Sequence, residues 1–229
     1  GEALEVNREV NCVTDFIHGC EDQLQEVKKP KEKGLLYGIP ISIKDHINFK
    51  GHISSGGMVK FLGQVKEENR VIVQVLKHQG GTPFVKTNIL QTMISYDCSN
   101  PIFGQALNPL KPQKSPGGSS GGEGALIAGG GSILGVGSDV AGSIHLPPSS
   151  CWLCGLRPTG NRIRHIPASA LCARVMGMLG PLARDVDSLA LCMKALLCQE
   201  MFQLEPTVPF DEQVGLRGAP MSPPAQQQR

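Results

Sequence analysis

Tyr37-Gly38-Ile39-Pro40-Ile41-Ser42-Ile43-Lys44 alternates in character and is rich in β-branched residues, so it reads as a strand ending at Lys44. Downstream, residues 67–79 read as a helix with Gly80 as its stop, and Thr82 to Thr87 read as the next strand. Strand, helix, strand in that order predicts an α/β fold with parallel pairing. Upstream, Val6, Val10, Val13, Ile17, Cys20 and Leu24 recur at steps of four and three, which predicts one helix over residues 2–26. A charged loop over residues 26–34 follows it.

Further along, residues 123–128 read as helical and Ile133 to Gly137 as a short buried strand. Residues 185–199 read as a helix. Asp185 or Asp187 would cap it, and Leu189, Leu191, Cys192, Leu196 and Leu197 would form its buried side. From Phe210 the chain turns to Pro, Gly and Gln, and residues 210–229 are expected to be a disordered tail.

The chain has 229 residues, enough for one sizeable core and one domain, two at most. Net charge is only +2 and aromatics are 4%, which together argue against nucleic acid as a partner. Eight cysteines in so long and apolar a chain read as buried free thiols and not as a disulfide framework. Cys151-Trp152-Leu153-Cys154 has no second pair or close histidines, so neither metal nor a cofactor is expected. No run of 18 apolar residues occurs.

Two glycine-rich segments carry serines. Lys114-Ser115-Pro116-Gly117-Gly118-Ser119-Ser120-Gly121-Gly122-Glu123-Gly124 is one, and Gly137-Ser138-Asp139-Val140-Ala141-Gly142-Ser143 is the other. Such a run alone is most often a flexible loop. A phosphate loop would need GxxxxGK[ST] or GxGxxG, and neither is present. Residues 117–121 also fit GxSxG, but the polar, proline-bearing stretch before them is not the buried strand of a nucleophile elbow. Acyl-transfer chemistry is a further reading. A serine hydroxyl needs a base for its proton and donors for the developing oxyanion. Amides of Val140, Ala141 and Gly142 could supply those donors at Ser143, and Ser119 could relay the proton. Lys44 could be the terminal base if burial keeps it neutral, although a lysine at a strand end is usually solvated.

Taken together, residues 38–45, 115–123 and 137–144 resemble the amidase signature family. Ser95 to Pro101, Cys154 to Arg162 and Ala183 to Leu189 are similar to its vertebrate members that act on fatty acid amides. The resemblance runs over residues 3–209 and implies an α/β fold with a mixed sheet flanked by helices, incomplete at its C-terminal side. It implies a Ser–Ser–Lys triad with Ser143 as nucleophile, Ser119 as bridge and Lys44 as base. It places an oxyanion hole on the amides of Val140, Ala141, Gly142 and Ser143, and Met93 beside the acyl chain. The implied substrates are fatty acid primary amides and ethanolamides. A homodimer and, in a full-length form, association with an endomembrane surface such as the endoplasmic reticulum are also implied. Relatives are much longer, so an inactive truncated form acting as an interaction partner is the alternative expectation. Two departures stand out. Ala141 replaces a usual glycine, which would cost about 1 kcal/mol if that position needs positive φ. His145 replaces a usual arginine, which would make an ion pair with Asp139 weaker or pH-dependent.

Overall fold

A computed structural model describes residues 1–20, 33–160, 162–165 and 177–205. The segment that opens the reading forms strand β2 (Pro40–Lys44), shorter than the predicted 37–44 by its first turn. Alternation sends Ile41 and Ile43 into the main hydrophobic cluster. Ser42 and Lys44 take the opposite face, where both are also fully buried. Burial on both faces marks β2 as a central strand.

Strand β3 (Thr82–Thr87) pairs parallel with β2 on one side, as predicted. On the other side β6 (Leu134–Asp139) also pairs parallel, with Ile41 opposite Leu134. Strand β1 (Val13–Phe16) lies antiparallel on β3, and β9 (Gly177–Ala183) lies antiparallel on β6. Strands β7 (Cys154–Gly155) and β8 (Arg164–His165) both pair with β9. The sheet is therefore mixed, in the order β1-β3-β2-β6-β9-β7. Strands β4 (Ser99–Asn100) and β5 (Gly104–Gln105) form a separate two-stranded ribbon.

Helices cover both faces, the arrangement that lets a parallel strand trio stay dry. Helix α2 (Val71–His78) packs Ile72, Val73, Val75 and Leu76 into the main cluster with Ile41, Ile43, Leu134 and Val136. Helices α5 (Val186–Leu196) and α6 (Gln199–Leu204) join it there through Leu189, Cys192, Leu196 and Met201. The opposite face is covered by α1 (Glu2–Val10) and α3 (Gly121–Ala128), with Ala3, Val10, Val85, Ala125 and Leu126 in one cluster. Each such apolar side chain contributes about 1.5–3 kcal/mol through burial. Helix α4 (Leu146–Cys151) starts on a proline pair, whose missing N–H groups fall where a helix start has no intrahelical acceptor.

The predicted 2–26 helix is corrected. It stops at Val10, because Asn11 adopts the left-handed conformation (φ 52, ψ 47). The Asn7 side chain accepts from Val13 N at 2.7 Å, and the Asn11 side chain donates to Phe103 O at 2.6 Å. These local bonds outcompete helix propagation. The apolar stripe then divides. Val10 and Val13 enter the α3-side cluster and Ile17 enters the other.

Elsewhere the boundaries move by a few residues. The 67–79 helix is α2, the 123–128 helix is α3 and the 133–137 strand is β6. The 185–199 helix ends at Leu196, and Asp185 is its cap, accepting from Ser188 N at 2.7 Å. Leu191 is exposed, contrary to the expected buried set, because it sits off the Leu189–Cys192–Leu196 face. The predicted charged loop falls largely on residues 21–32, and the tail from Phe210 on residues after 205; these calls lie outside the described residues.

Helix α3 approaches the end of β3 so closely that a Cβ at Gly122 would lie 2.3 Å from Asn88 N. Backbone stands there, with no flexible side chain to yield. Gly122→Ala should therefore destabilise the chain by about 1–3 kcal/mol, read as a lower midpoint in urea unfolding at unchanged slope.

Candidate active site

The site forms where the C-terminal ends of β2 and β6 meet the N-terminus of α3. Lys44 is the last residue of β2, Ser119 lies in the turn before α3, and Ser143 follows β6. The fold brings these three together across separations of 75 and 24 residues. Lys44 Nζ is 2.7 Å from Ser119 Oγ, and Ser119 Oγ is 3.1 Å from Ser143 Oγ, within hydrogen-bonding reach. The Gly118–Ser119 peptide is cis. Ser143 keeps 8% exposure, Ser119 1% and Lys44 none, so the row runs from the surface inward.

Burial pushes the Lys44 ammonium from 10.5 down to about 7, against the opposing fields of Cys98, Asp139 and Glu123. The sequence condition on this lysine, that it be desolvated, is met. The strand alternation that buries Ile41 and Ile43 on one face buries Lys44 on the other.

Four residues beneath the row were not singled out from sequence. Glu123 on α3 is fully buried, and burial pushes its carboxyl up to about 8. Ser42 Oγ donates to Glu123 Oε2 at 2.5 Å, and Thr87 Oγ1 donates to Glu123 Oε1 at 2.9 Å. Glu123 thus ties α3 to both β2 and β3. A Cβ at Gly135 would meet its carboxylate, so the small residues of β6 are what admit it. The readable signal was the Gly135-x-Gly137 spacing, which clears one face of the strand. Ser138 is the fourth. Lys44 Nζ donates to its Oγ at 3.1 Å and approaches its carbonyl oxygen at 3.5 Å.

Asp139 shapes the turn that carries Ser143. Its carboxylate accepts from Gly142 N at 3.0 Å and from Ile144 N at 2.6 Å. His145 Nδ1 lies 2.9 Å and Arg157 Nε 3.4 Å from the same group. The anticipated His145–Asp139 contact is therefore present, and Arg157 joins it. Burial alone would raise the Asp139 carboxyl, but the two amides and the His145 ring hold it below its ordinary 3.8. The left-handed position in the turn is Gly142, with φ 120, so the alanine at 141 carries no such strain. The Gly142 amide is committed to Asp139, which sets it apart from the other amides assigned to an oxyanion hole.

Met93 sits in a turn anchored beside the row. Leu90 N reaches Ser119 O at 3.4 Å, and Met93 N reaches Leu90 O at 3.2 Å. Tyr96 from the same segment lies over Gly142, its ring 3.9 Å from where a Cβ would stand. Ile94, Tyr96 and Val140 leave 71%, 64% and 38% of their surface exposed.

The chain is a member of the amidase signature family: the Amidase family description matches residues 2–222. Among individual relatives, it is 74% identical over 228 residues to the vitamin D3 hydroxylase-associated protein of Gallus gallus, covering 96% of this chain and 49% of that one. It is 52% identical over 229 residues to fatty-acid amide hydrolase 1 of Sus scrofa, covering 96% and 38%. A solved fatty acid amide hydrolase superposes with a TM-score of 0.86 at 33% identity, covering 92% of this chain and 39% of that one. The chain thus spans less than half the length of these relatives. Among the described residues no helix is long and apolar enough to cross a membrane.

The Asp139 clamp gives an acid-stability prediction. Its folded-state ionisation point is depressed, so its stabilisation is present above the ordinary carboxylate range and is lost as pH falls through the depressed value. Thermal unfolding followed from about pH 6 to pH 2 should show a steeper loss of stability in the native chain than in Asp139→Asn, which should start less stable and fall less.

Proposed function

We propose that the chain is a serine hydrolase of the amidase signature type that cleaves fatty acid amides, primary amides and ethanolamides among them. The observation that carries this reading is the buried relay from Lys44 through Ser119 to Ser143, with its lysine held near neutrality. In this reading Ser143 Oγ attacks the acyl carbonyl. Its proton passes to Ser119 while the Ser119 proton passes to Lys44. Backbone amides of Val140, Ala141 and Ser143 take the developing oxyanion, and Gly142, bound to Asp139, holds the turn in shape. Lys44 then returns the proton through Ser119 to the leaving amine, and water releases the acyl group from Ser143.

The exposed apolar side chains of Ile94, Tyr96 and Val140 support a long acyl substrate, and we place Met93 beside it. The relative named fatty-acid amide hydrolase 1 supports the same class. A homodimer and association with an endomembrane surface are further parts of this proposal.

A fluorophosphonate probe should label the chain at Ser143, and Ser143→Ala should abolish the label. With oleamide as substrate, kcat/KM should rise with pH through about 7, because the free base form of Lys44 is required. Below that point it should fall about tenfold per pH unit. A folded chain that takes no label would support the inactive-relative reading instead. A label that survives Ser143→Ala would sink the nucleophile assignment.

A further inference from the structure

Lys44 Nζ has three oxygen neighbours, Ser119 Oγ at 2.7 Å, Ser138 Oγ at 3.1 Å and Ser138 O at 3.5 Å. A neutral amine has two N–H bonds and one lone pair. To accept a proton from Ser119, the lone pair must face that hydroxyl, so both N–H bonds must go elsewhere. The amine is wholly buried, so bulk water does not supply the acceptors.

We propose that Ser138 is a positioning residue for Lys44. Its hydroxyl and carbonyl oxygens take the two N–H bonds of the amine and so aim the lone pair at Ser119. This rests on the triad reading above and adds to it a group outside the three residues.

Ser138 is well placed for the task. It lies on β6, paired across the sheet with Leu179 of β9, and is itself 4% exposed. Its carbonyl also accepts from Ser120 Oγ at 3.3 Å, and a carbonyl oxygen has two lone pairs for two donors. The same geometry serves the other half of the cycle. When the Ser119 O–H bond breaks and an N–H bond forms on Lys44, the ammonium has three N–H bonds. Its three acceptors are the same three oxygens, so the side chain need not turn.

Removing the Ser138 hydroxyl therefore has two separable effects. The ammonium loses a hydrogen bond that stabilises it more than the amine, so Lys44 should titrate at still lower pH. The amine also loses one of the two bonds that orient it, so the rate above the titration should fall.

The test pairs two β-branched variants of near-equal shape, Ser138→Thr and Ser138→Val, with Ser138→Ala as a third. Both branched residues suit a strand, so the pair differs chiefly in the hydroxyl. Lysine labelled with 13C at Cε reads the Lys44 midpoint directly by NMR, without any need for turnover. Ser138→Val and Ser138→Ala should move that midpoint down by about one pH unit and lower the plateau of oleamide kcat/KM about tenfold. Ser138→Thr should keep both near the native values. A Ser138→Val chain whose Lys44 titrates at the native midpoint overturns the proposal, whatever its activity. A native chain that takes no fluorophosphonate label at Ser143, while its Lys44 midpoint responds to Ser138→Val, overturns the hydrolase reading and leaves the Ser138 contact standing.

Discussion

Removal of the Lys44 amine from water is the constraint around which the rest of this structure is arranged. An ammonium in the interior is costly, and the fold answers by surrounding it with oxygens that suit the neutral amine. Its neighbour Glu123 undergoes the opposite shift for the same reason, since burial disfavours the charged form of either group. Ser42 and Thr87 supply the hydrogen bonds that the buried Glu123 carboxyl loses from water. The central position of β2 is what makes this possible, because only a strand covered on both faces can bury a lysine opposite two isoleucines.

The second support is the Asp139 carboxylate, which does for the Ser143 turn what strand pairing does for Lys44. Two backbone amides converge on it, and His145 and Arg157 supply cationic or hydrogen-bonding partners from outside. The nucleophile candidate therefore sits on a turn tied down at both ends. Glu123 ties the α3 turn in the same way through Ser42 and Thr87. Ordered loops on a rigid sheet are a common way to hold reactive groups within hydrogen-bonding reach.

How far the sequence could be read follows from the range of the interactions involved. The β2–α2–β3 unit was legible because each element carries its own pattern and Gly80 separates the helix from the next strand. The α1 boundary was not, since the 3.6-residue spacing continues through Val13 and Ile17 while the bonds of Asn7 and Asn11 end the helix. Lys44, Ser119 and Ser143 were legible as a set through the joint motifs around them. Ser138 and Glu123 lie inside those same motifs, yet what they touch depends on how β2, β6 and α3 pack. The commitment of the Gly142 amide to Asp139 is likewise a tertiary fact, invisible in a run of small residues.

The distribution of the relay along the chain has a consequence for biogenesis. Lys44, Ser119 and Ser143 arrive from three elements joined only by long-range packing, and the pairing of β2 with β6 depends on residues more than 90 apart. Lys44 is brought to Ser119 only across 75 residues, while Ser119 and Ser143 lie 24 apart on either side of α3 and β6. Under the proposed reading, Ser143 has its route to Lys44 only once β2, β6 and α3 have packed together.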